Sequence, residues 1–502
     1  MTSPTSSAPA AGALDPKSRK IIVTLLVAAF VVILNETIMG VALPRLMKEL
    51  QVTESTVQWL STAFMLTMAV VIPTTGFLLQ RLATRTVFIL ALSLFSAGTL
   101  LAAISPGFWL LLAARVIQAS GTAMMVPLMM TTILTLVPPA RRGAVMGTVS
   151  IAISVAPAIG PTLSGLILPY LSWRFMFILV LPVALAALIY GARRLEDVGE
   201  REHHALDLVS VVLSVPAFGG LVFGLSRIGE AATGGLAPSV SPLLLGVVSL
   251  VLFGLRQHAL QRSGNPLLDL RVFTYPMFRL AIALLMIAMI ALFGMVILLP
   301  IYLQNIRGLS SLETGLLLLP GGLLMGLLAP FVGRLFDRYG PKALTITGAA
   351  LLSLTMWAFS TIDAHTPVWL LIGVHLVLSV GLACLFTPAF TTGLNPLPQH
   401  LYSHGSAMLA TLQQVAGAAG TALLVTIMAG RSMGLIKDGM PELAAQNAGI
   451  QTAFGVAAII GIGAIAVAAF LRRTAAQSEE TETPPLPAIL DPEPAGDGTP
   501  LR

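Results

Sequence analysis

Two ionisable residues lie where their surroundings are apolar. Glu36 falls within the run 21–43 and is the only carboxylate inside any apolar stretch of the chain. Arg115 is the one cation at comparable depth. A charge at membrane depth costs at least ~2.5–3.5 kcal/mol on insertion scales, so such a residue points to function. Glu36 precedes Pro44 by about eight residues and Arg115 follows Phe108 by about as many. At 1.5 Å rise per residue, each sits ~12 Å below the same surface. Together they suit proton exchange. A carboxylate in a poorly hydrated cavity takes up a proton when its cationic neighbour is away and releases it when the cation faces it. The plainer alternative is a static ion pair between two helices, or an arginine snorkelling outward.

The elements that must position this pair follow from composition. The chain has 502 residues, 56% hydrophobic and only 10% charged, with mean hydropathy +0.90. Soluble domains average about 25% charged residues, so this is a polytopic membrane protein. The net charge of +6 is scattered over short loops and forms no nucleic-acid stripe. Nor is there a phosphate-binding G-x-x-x-x-G-K-[ST] loop, and no segment between helices is long enough for a catalytic domain. Cys384, the single cysteine, excludes intramolecular disulfides.

A spanning helix needs about twenty mostly apolar residues. Fourteen such runs are predicted: 20–44, 57–80, 86–105, 108–136, 143–168, 174–193, 206–226, 238–257, 278–304, 313–332, 343–361, 366–391, 405–429 and 450–471. With the N-terminus cytoplasmic, 19 Lys and Arg fall on inner segments and 7 on outer ones, the sense of the positive-inside rule. The expected location is therefore the cell membrane, with both termini in the cytoplasm. Residues 1–19 and 474–502 read as disordered tails, 20–193 and 278–473 as six-helix bundles, and 194–277 as a linker containing two extra helices.

An internal repeat supports this division. Gly76-Phe-Leu-Leu-Gln-Arg-Leu-Ala-Thr-Arg85 and Gly333-Arg-Leu-Phe-Asp-Arg-Tyr-Gly-Pro-Lys342 are one loop written twice, each after the second helix of its block. Parallel six-helix repeats are an architecture of secondary transporters, with the substrate site between the halves. In the second copy Asp337 can accept hydrogen bonds from a nearby helix N-terminus and latch one side shut. Gly76 and Arg81 remain in the first copy. Gln80 and Ala83 replace its acid and second glycine, so its latch should be weaker, and the alternative is a plain basic turn.

These features, with Leu34-Asn-Glu-Thr-Ile-Met-Gly-Val-Ala-Leu-Pro44, Arg115-Val-Ile-Gln118, Gly160-Pro-Thr-Leu-Ser-Gly165, Trp173-Arg-Phe-Met-Phe177 and Leu299-Pro-Ile-Tyr-Leu-Gln304, give a chain that resembles the major facilitator superfamily. The likeness is to its fourteen-helix drug:proton antiporter family of EmrB/QacA type, over roughly residues 20–471. The resemblance implies an all-α fold of two six-helix bundles plus two central helices. It also implies that the first and fourth helices line the cavity. Gly160, Pro161 and Gly165 then belong to the antiporter motif of exporters, a bend and a seal; generic small-residue packing is the alternative. Gly76, Arg81, Gly333, Asp337, Arg338 and Gly340 belong to the gating loops. One departure matters. The family carries an aspartate where this chain has Asn35, so the acid has moved one residue, ~100° around the helix. Glu36 has then either taken over the role with a shifted reach or serves to bind a cationic substrate.

Asn35, Gln118, Tyr302, Gln304, Gln413 and Gln414 are candidate cavity residues, or else ties between helices. His375 reads as a packing histidine and His203-His204 as a solvated pair. The expected function is proton-coupled export of amphiphilic drugs by alternating access, with a dedicated antibiotic exporter, an importer and a non-transporting receptor as alternatives. No enzymatic activity, cofactor or metal is expected. The expected partners are an amphiphilic small molecule, protons and the lipid bilayer, without nucleic acid, for a monomeric protein.

Overall fold

Fourteen helices long and apolar enough to cross a membrane make up the computed structural model, which describes residues 15–168, 170–197, 207–225, 237–262 and 266–473. The expected C-terminal tail, residues 1–14 of the expected N-terminal one, and His203-His204 lie outside the described residues, whereas residues 16–19, expected in that tail, form the first turn of α1, which Pro16 starts. In hydrocarbon every backbone N–H and C=O must be paired within the protein, so each apolar run closes its own helical ladder. The first six helices are α1 (Pro16–Glu49), α2 (Glu54–Arg81), α3 (Thr84–Ala103), α4 (Phe108–Leu136), α5 (Arg142–Ile167) and α6 (Arg174–Arg194). Two more follow, α7 (Leu208–Leu225) and α8 (Ala237–Gln261). The last six are α9 (Pro276–Ile301), α10 (Ser311–Tyr339), α11 (Pro341–Phe359), α12 (Val368–Leu394), α13 (Tyr402–Lys437) and α14 (Glu442–Ala469).

Helix starts carry expected signals. Pro16, Pro276 and Pro341 occupy first-turn positions where no N–H is needed. Ser310 and Glu313 form a reciprocal capping box on α10. Helix ends differ from expectation. Residues 333–339 were expected in a loop beyond the run 313–332, but they form the last turns of α10, and the first copy of the repeat likewise begins inside α2, which runs to Arg81. Nothing in either segment breaks the ladder until Leu82 turns extended and Gly340 adopts a φ of 82°, a left-handed value that glycine takes without strain.

Within each block, α1–α6 pack on one another, as do α9–α14. The blocks meet along α5 with α10 and α12, and along α2 and α4 with α13. Helices α7 and α8 stand outside. Phe223 on α7 touches Trp59 of α2, with ring centroids 5.6 Å apart, while Leu244, Val248, Val251 and Leu255 on α8 are exposed. The pair also makes polar contacts at the face that carries residues 16 and 473, called here the terminal face. There Arg256 donates to both oxygens of Asp207, at 2.8 and 2.9 Å. Fully buried Gln257 binds the Ser210 hydroxyl and the amides of Leu267 and Leu268. The accessory pair is thereby fastened to the segment leading into α9.

Candidate functional site

Arg115 is held rigidly. Its guanidinium lies 4.0 Å from the centre of the Phe64 ring on α2, and its Nη1 donates to Gln118 Oε1 at 2.7 Å. Gln118 passes the chain on, donating to Thr99 Oγ1 of α3 at 2.8 Å, which donates to the Phe95 carbonyl. The i, i+3 spacing of Arg115 and Gln118 puts both on one face of α4. Phe64 in turn belongs to a small apolar cluster with Met68, Ala119, Ala123 and Ala410, the last contributed by α13. The cation is therefore 1% exposed and seated beside the junction of the two halves.

Glu36 is treated differently. Its carboxylate has neither a hydrogen bond nor an ion pair among the described residues, and it feels Arg115 only through space. The residue is half-buried although it lies inside the bundle. It stands 13 residues before the end of α1, about 20 Å of helix. The next turn of α1 is fixed to α5. Thr37 Oγ1 donates to the Ala156 carbonyl at 3.4 Å, and Ser164 Oγ donates to the Ile38 carbonyl at 2.8 Å. A Cβ on Gly160 would come within 2.3 Å of Thr37 Oγ1, so this approach requires glycine. Ser164, where the family often has glycine, uses its hydroxyl to bind α1. Gly165 faces Leu312 of α10 instead, so this stretch of α5 is clamped between α1 and the second half. Pro157 and Pro161 lie within the helix, where they loosen its backbone ladder.

At the terminal face, α5 begins on a clasp. Asp337 Oδ1 accepts from the Gly143 amide at 3.0 Å and Oδ2 from the Ala144 amide at 2.9 Å. These are free first-turn N–H groups at the positive end of the helix dipole. Such contact demands close backbones: a Cβ on Gly333 would fall 2.1 Å from the Gly143 carbonyl oxygen. The first copy of the repeat makes a lesser bond, Gln80 Nε2 to the His400 carbonyl at 3.0 Å, with Gly76 against Ala407. One neutral bond here compares with two charge-assisted ones at Asp337.

A family model of the Major Facilitator Superfamily matches residues 25–421. The chain belongs to the major facilitator superfamily. It is 42% identical to the lincomycin resistance protein LmrB of Bacillus subtilis (strain 168) over 464 residues, covering 91% of this chain and 96% of that protein. It is 29% identical to a multidrug resistance protein B homolog of Mycobacterium tuberculosis over 395 residues, covering 78% and 73%. Among solved structures, the human organic anion transporter MFSD10 superposes with a TM-score of 0.65 at 16% identity, over 90% of this chain and 100% of that one. The chain is thus a multi-pass membrane transporter of this superfamily and not an enzyme.

In this superfamily member the remaining candidates do not all gather around Glu36. Asn35 is 3% exposed and its Nδ2 has no partner among the described residues. Gln414 Nε2 contacts Met68 Sδ across the halves at 3.6 Å, while Gln413 Nε2 is buried without a partner among the described residues. Tyr302 and Gln304 lie elsewhere, in a π-helical turn at the end of α9. The Tyr302 hydroxyl donates to the Asp363 carbonyl at 2.6 Å in the connection between α11 and α12, and Gln304 is exposed. His375 packs on α10, its Nε2 3.2 Å from the Leu318 carbonyl. Arg81 and Arg338 are exposed.

One buried cation escaped sequence reading. Arg142, 5% exposed, donates to the Val137 and Leu134 carbonyls at 3.0 and 2.7 Å. It also reaches across to Asn395 Oδ1 at 3.2 Å and Tyr402 Oη at 3.0 Å. It had counted as one more positive-inside arginine. Its position between Pro138-Pro139 and Gly143, at a helix start packed on the other half, was the available signal.

Proposed function

We propose that the protein is a proton-coupled exporter of amphiphilic small molecules, working by alternating access from the membrane with both termini in the cytoplasm. The observation that carries this reading is the half-buried Glu36 carboxylate, unpartnered yet within electrostatic reach of Arg115. Arg115 is immobilised by Phe64, Gln118 and Thr99, so the acid has a fixed cationic neighbour and is itself free to bind a proton or a cationic substrate. Protonation and substrate binding then compete for one group, which is what exchange requires. Asn35, Gln118, Gln413 and Gln414 serve as polar contacts along the path. In this reading Asp337 and Arg142 close the cytoplasmic side, and Glu36 then loads from outside. The protein works as a monomer.

A second reading, a dedicated antibiotic exporter, is favoured by the length of the likeness to lincomycin resistance proteins. Proteoliposome assays of substrate-driven proton release separate the two, comparing lincomycin with a panel of lipophilic cations. Broad exchange supports multidrug export, and exchange with lincomycin alone supports the dedicated reading. In either case Glu36→Gln abolishes substrate-driven proton release. Normal exchange by that variant would remove Glu36 from the mechanism.

A further inference from the structure

A groove of about 640 Å³ opens on the flank of the bundle between α1 and α6, at the terminal face and away from Glu36. Its walls include Arg19, Lys20, Val23, Val27, Val183 and Tyr190. Along α1 the order is meaningful. The two cations occupy the rim, Val23 lies one turn deeper and Val27 two turns deeper, ~6 and ~12 Å into the bilayer. On antiparallel α6, Tyr190 stands near the rim and Val183 about two turns deeper. The groove is thus basic and aromatic at headgroup level and apolar below, and it opens sideways to lipid. Val23, Val27 and Val183 are 44–50% exposed.

The charges at the rim are available. Lys17 pairs with Glu196 at 3.5 Å, whereas Arg19 and Lys20 have no acidic partner among the described residues. An uncompensated Arg-Lys pair over an apolar channel complements a ligand with an anionic head and a hydrocarbon tail, and basic pockets between spanning helices suit such headgroups. The volume lies within the ~300–1,000 Å³ of small-molecule sites. We propose that this groove binds one anionic phospholipid from the leaflet at the terminal face. Its phosphate sits on Arg19 and Lys20 and one acyl chain runs along Val23, Val27 and Val183. The bound lipid then joins the base of α1 to α6, on the helix that carries Glu36.

The test is lipid retention by the full-length protein in mild detergent, mixed with equal amounts of phosphatidylglycerol and phosphatidylcholine and read by native mass spectrometry. Wild type should keep one phosphatidylglycerol in preference to phosphatidylcholine. The double variant Arg19→Gln/Lys20→Gln should bind phosphatidylglycerol about 30-fold more weakly, from ~1 kcal/mol per cation at 1.4 kcal/mol per tenfold. Ala186→Trp, which fills the groove with the cations intact, should lower retention of both lipids. Arg193→Gln/Arg194→Gln removes exposed cations that do not line the groove and should change nothing. Equal retention of the two lipids by wild type overturns the proposal, as does undiminished phosphatidylglycerol binding in the groove variants. Displacement of the lipid by tetraphenylphosphonium, with tighter binding of that cation in the double variant, would assign the groove to a cationic amphiphile instead. None of these readings depends on proton coupling.

Discussion

Replacing Asp337 by asparagine tests the clasp directly. The carboxylate accepts two amide N–H groups, at 3.0 and 2.9 Å, from the first turn of α5. Asparagine is nearly isosteric and keeps one acceptor, but it turns an NH2 toward the other amide. The loss is one charge-assisted bond, ~1.5–3 kcal/mol, together with the charge at the helix N-terminus, ~0.3–1 kcal/mol. Taken as about 3 kcal/mol, this shifts the equilibrium between clasped and open terminal faces by ~140-fold. Both bonds join the two halves, so the loss falls on the clasped state alone. The assay is single-molecule energy transfer between dyes at Arg85→Cys and Lys342→Cys, exposed positions on the two halves at that face, in a Cys384→Ser background. Asp337→Asn should convert a distribution dominated by short distances to one with a large population of long ones. An unchanged distribution would show that the clasp does not set the conformational equilibrium.

Arg142→Gln removes two bonds across the halves and should open the same face, with a lowered Tm in a thermal-shift assay. Arg142→Lys should not rescue it, because one ammonium cannot span the Leu134 and Val137 carbonyls and Tyr402 together. Gly160→Ala places a Cβ 2.3 Å from Thr37 Oγ1. At ~1–3 kcal/mol of overpacking it should force α1 from α5 and reduce drug efflux from cells, at expression equal to wild type. Asp207, held well below the usual carboxylate range by hydrogen bonds from Arg256 and Ser210 against the opposing effect of burial, makes a pH-dependent contribution. A depressed folded value stabilises above the unfolded pKa of about 3.9 and loses that effect as pH falls through the folded value. The Tm difference between wild type and Asp207→Asn should therefore be constant from pH 8 to 5 and shrink only in stronger acid.

Apolar run length made the helix count legible, because bilayer thickness sets the minimum span and the runs are punctuated by charge. The ends were less legible. Hydropathy falls at the membrane surface while the helical ladder continues, so α13 extends to Lys437 and α10 carries Asp337 on its last turns. Glu36 and Arg115 stood out because charge is rare in hydrocarbon, and Asp337 because its segment is repeated. Whether Glu36 and Arg115 touch was not legible. One methylene and ~100° of rotation decide it, and the structure leaves them interacting only through space. Tyr302 and Gln304 looked like cavity residues because aromatic and amide groups near a span end have no sequence signature separating a cavity wall from a loop tether. Arg142 was hidden among arginines that share its spacing but not its burial.

The site and the gate are joined by one helix. α5 meets α1 at Gly160 and Ser164, beside Glu36, and meets α10 at Gly143, under Asp337. Gly160 stands 17 positions after Gly143, about 25 Å along the helix, with Pro157 between them. An energetic link between distant sites requires an element with two arrangements that both sites bias. A rigid rod fixed at both ends would transmit every displacement of α1 to the clasp, and a fully flexible one would transmit none. Proline supplies the intermediate case, since its missing N–H leaves a carbonyl one turn earlier unbonded and lets the helix bend there. On the function proposed above, neutralising Glu36 removes its attraction to Arg115 and so changes where α1 rests. In that mechanism Ser164 and Thr37 carry the change into α5, and the bend determines whether the Gly143 and Ala144 amides still meet the Asp337 carboxylate. On the function proposed above, the stretch around Gly160 acts as a hinge whose position between acid and clasp makes proton binding and gate opening alternatives of one equilibrium.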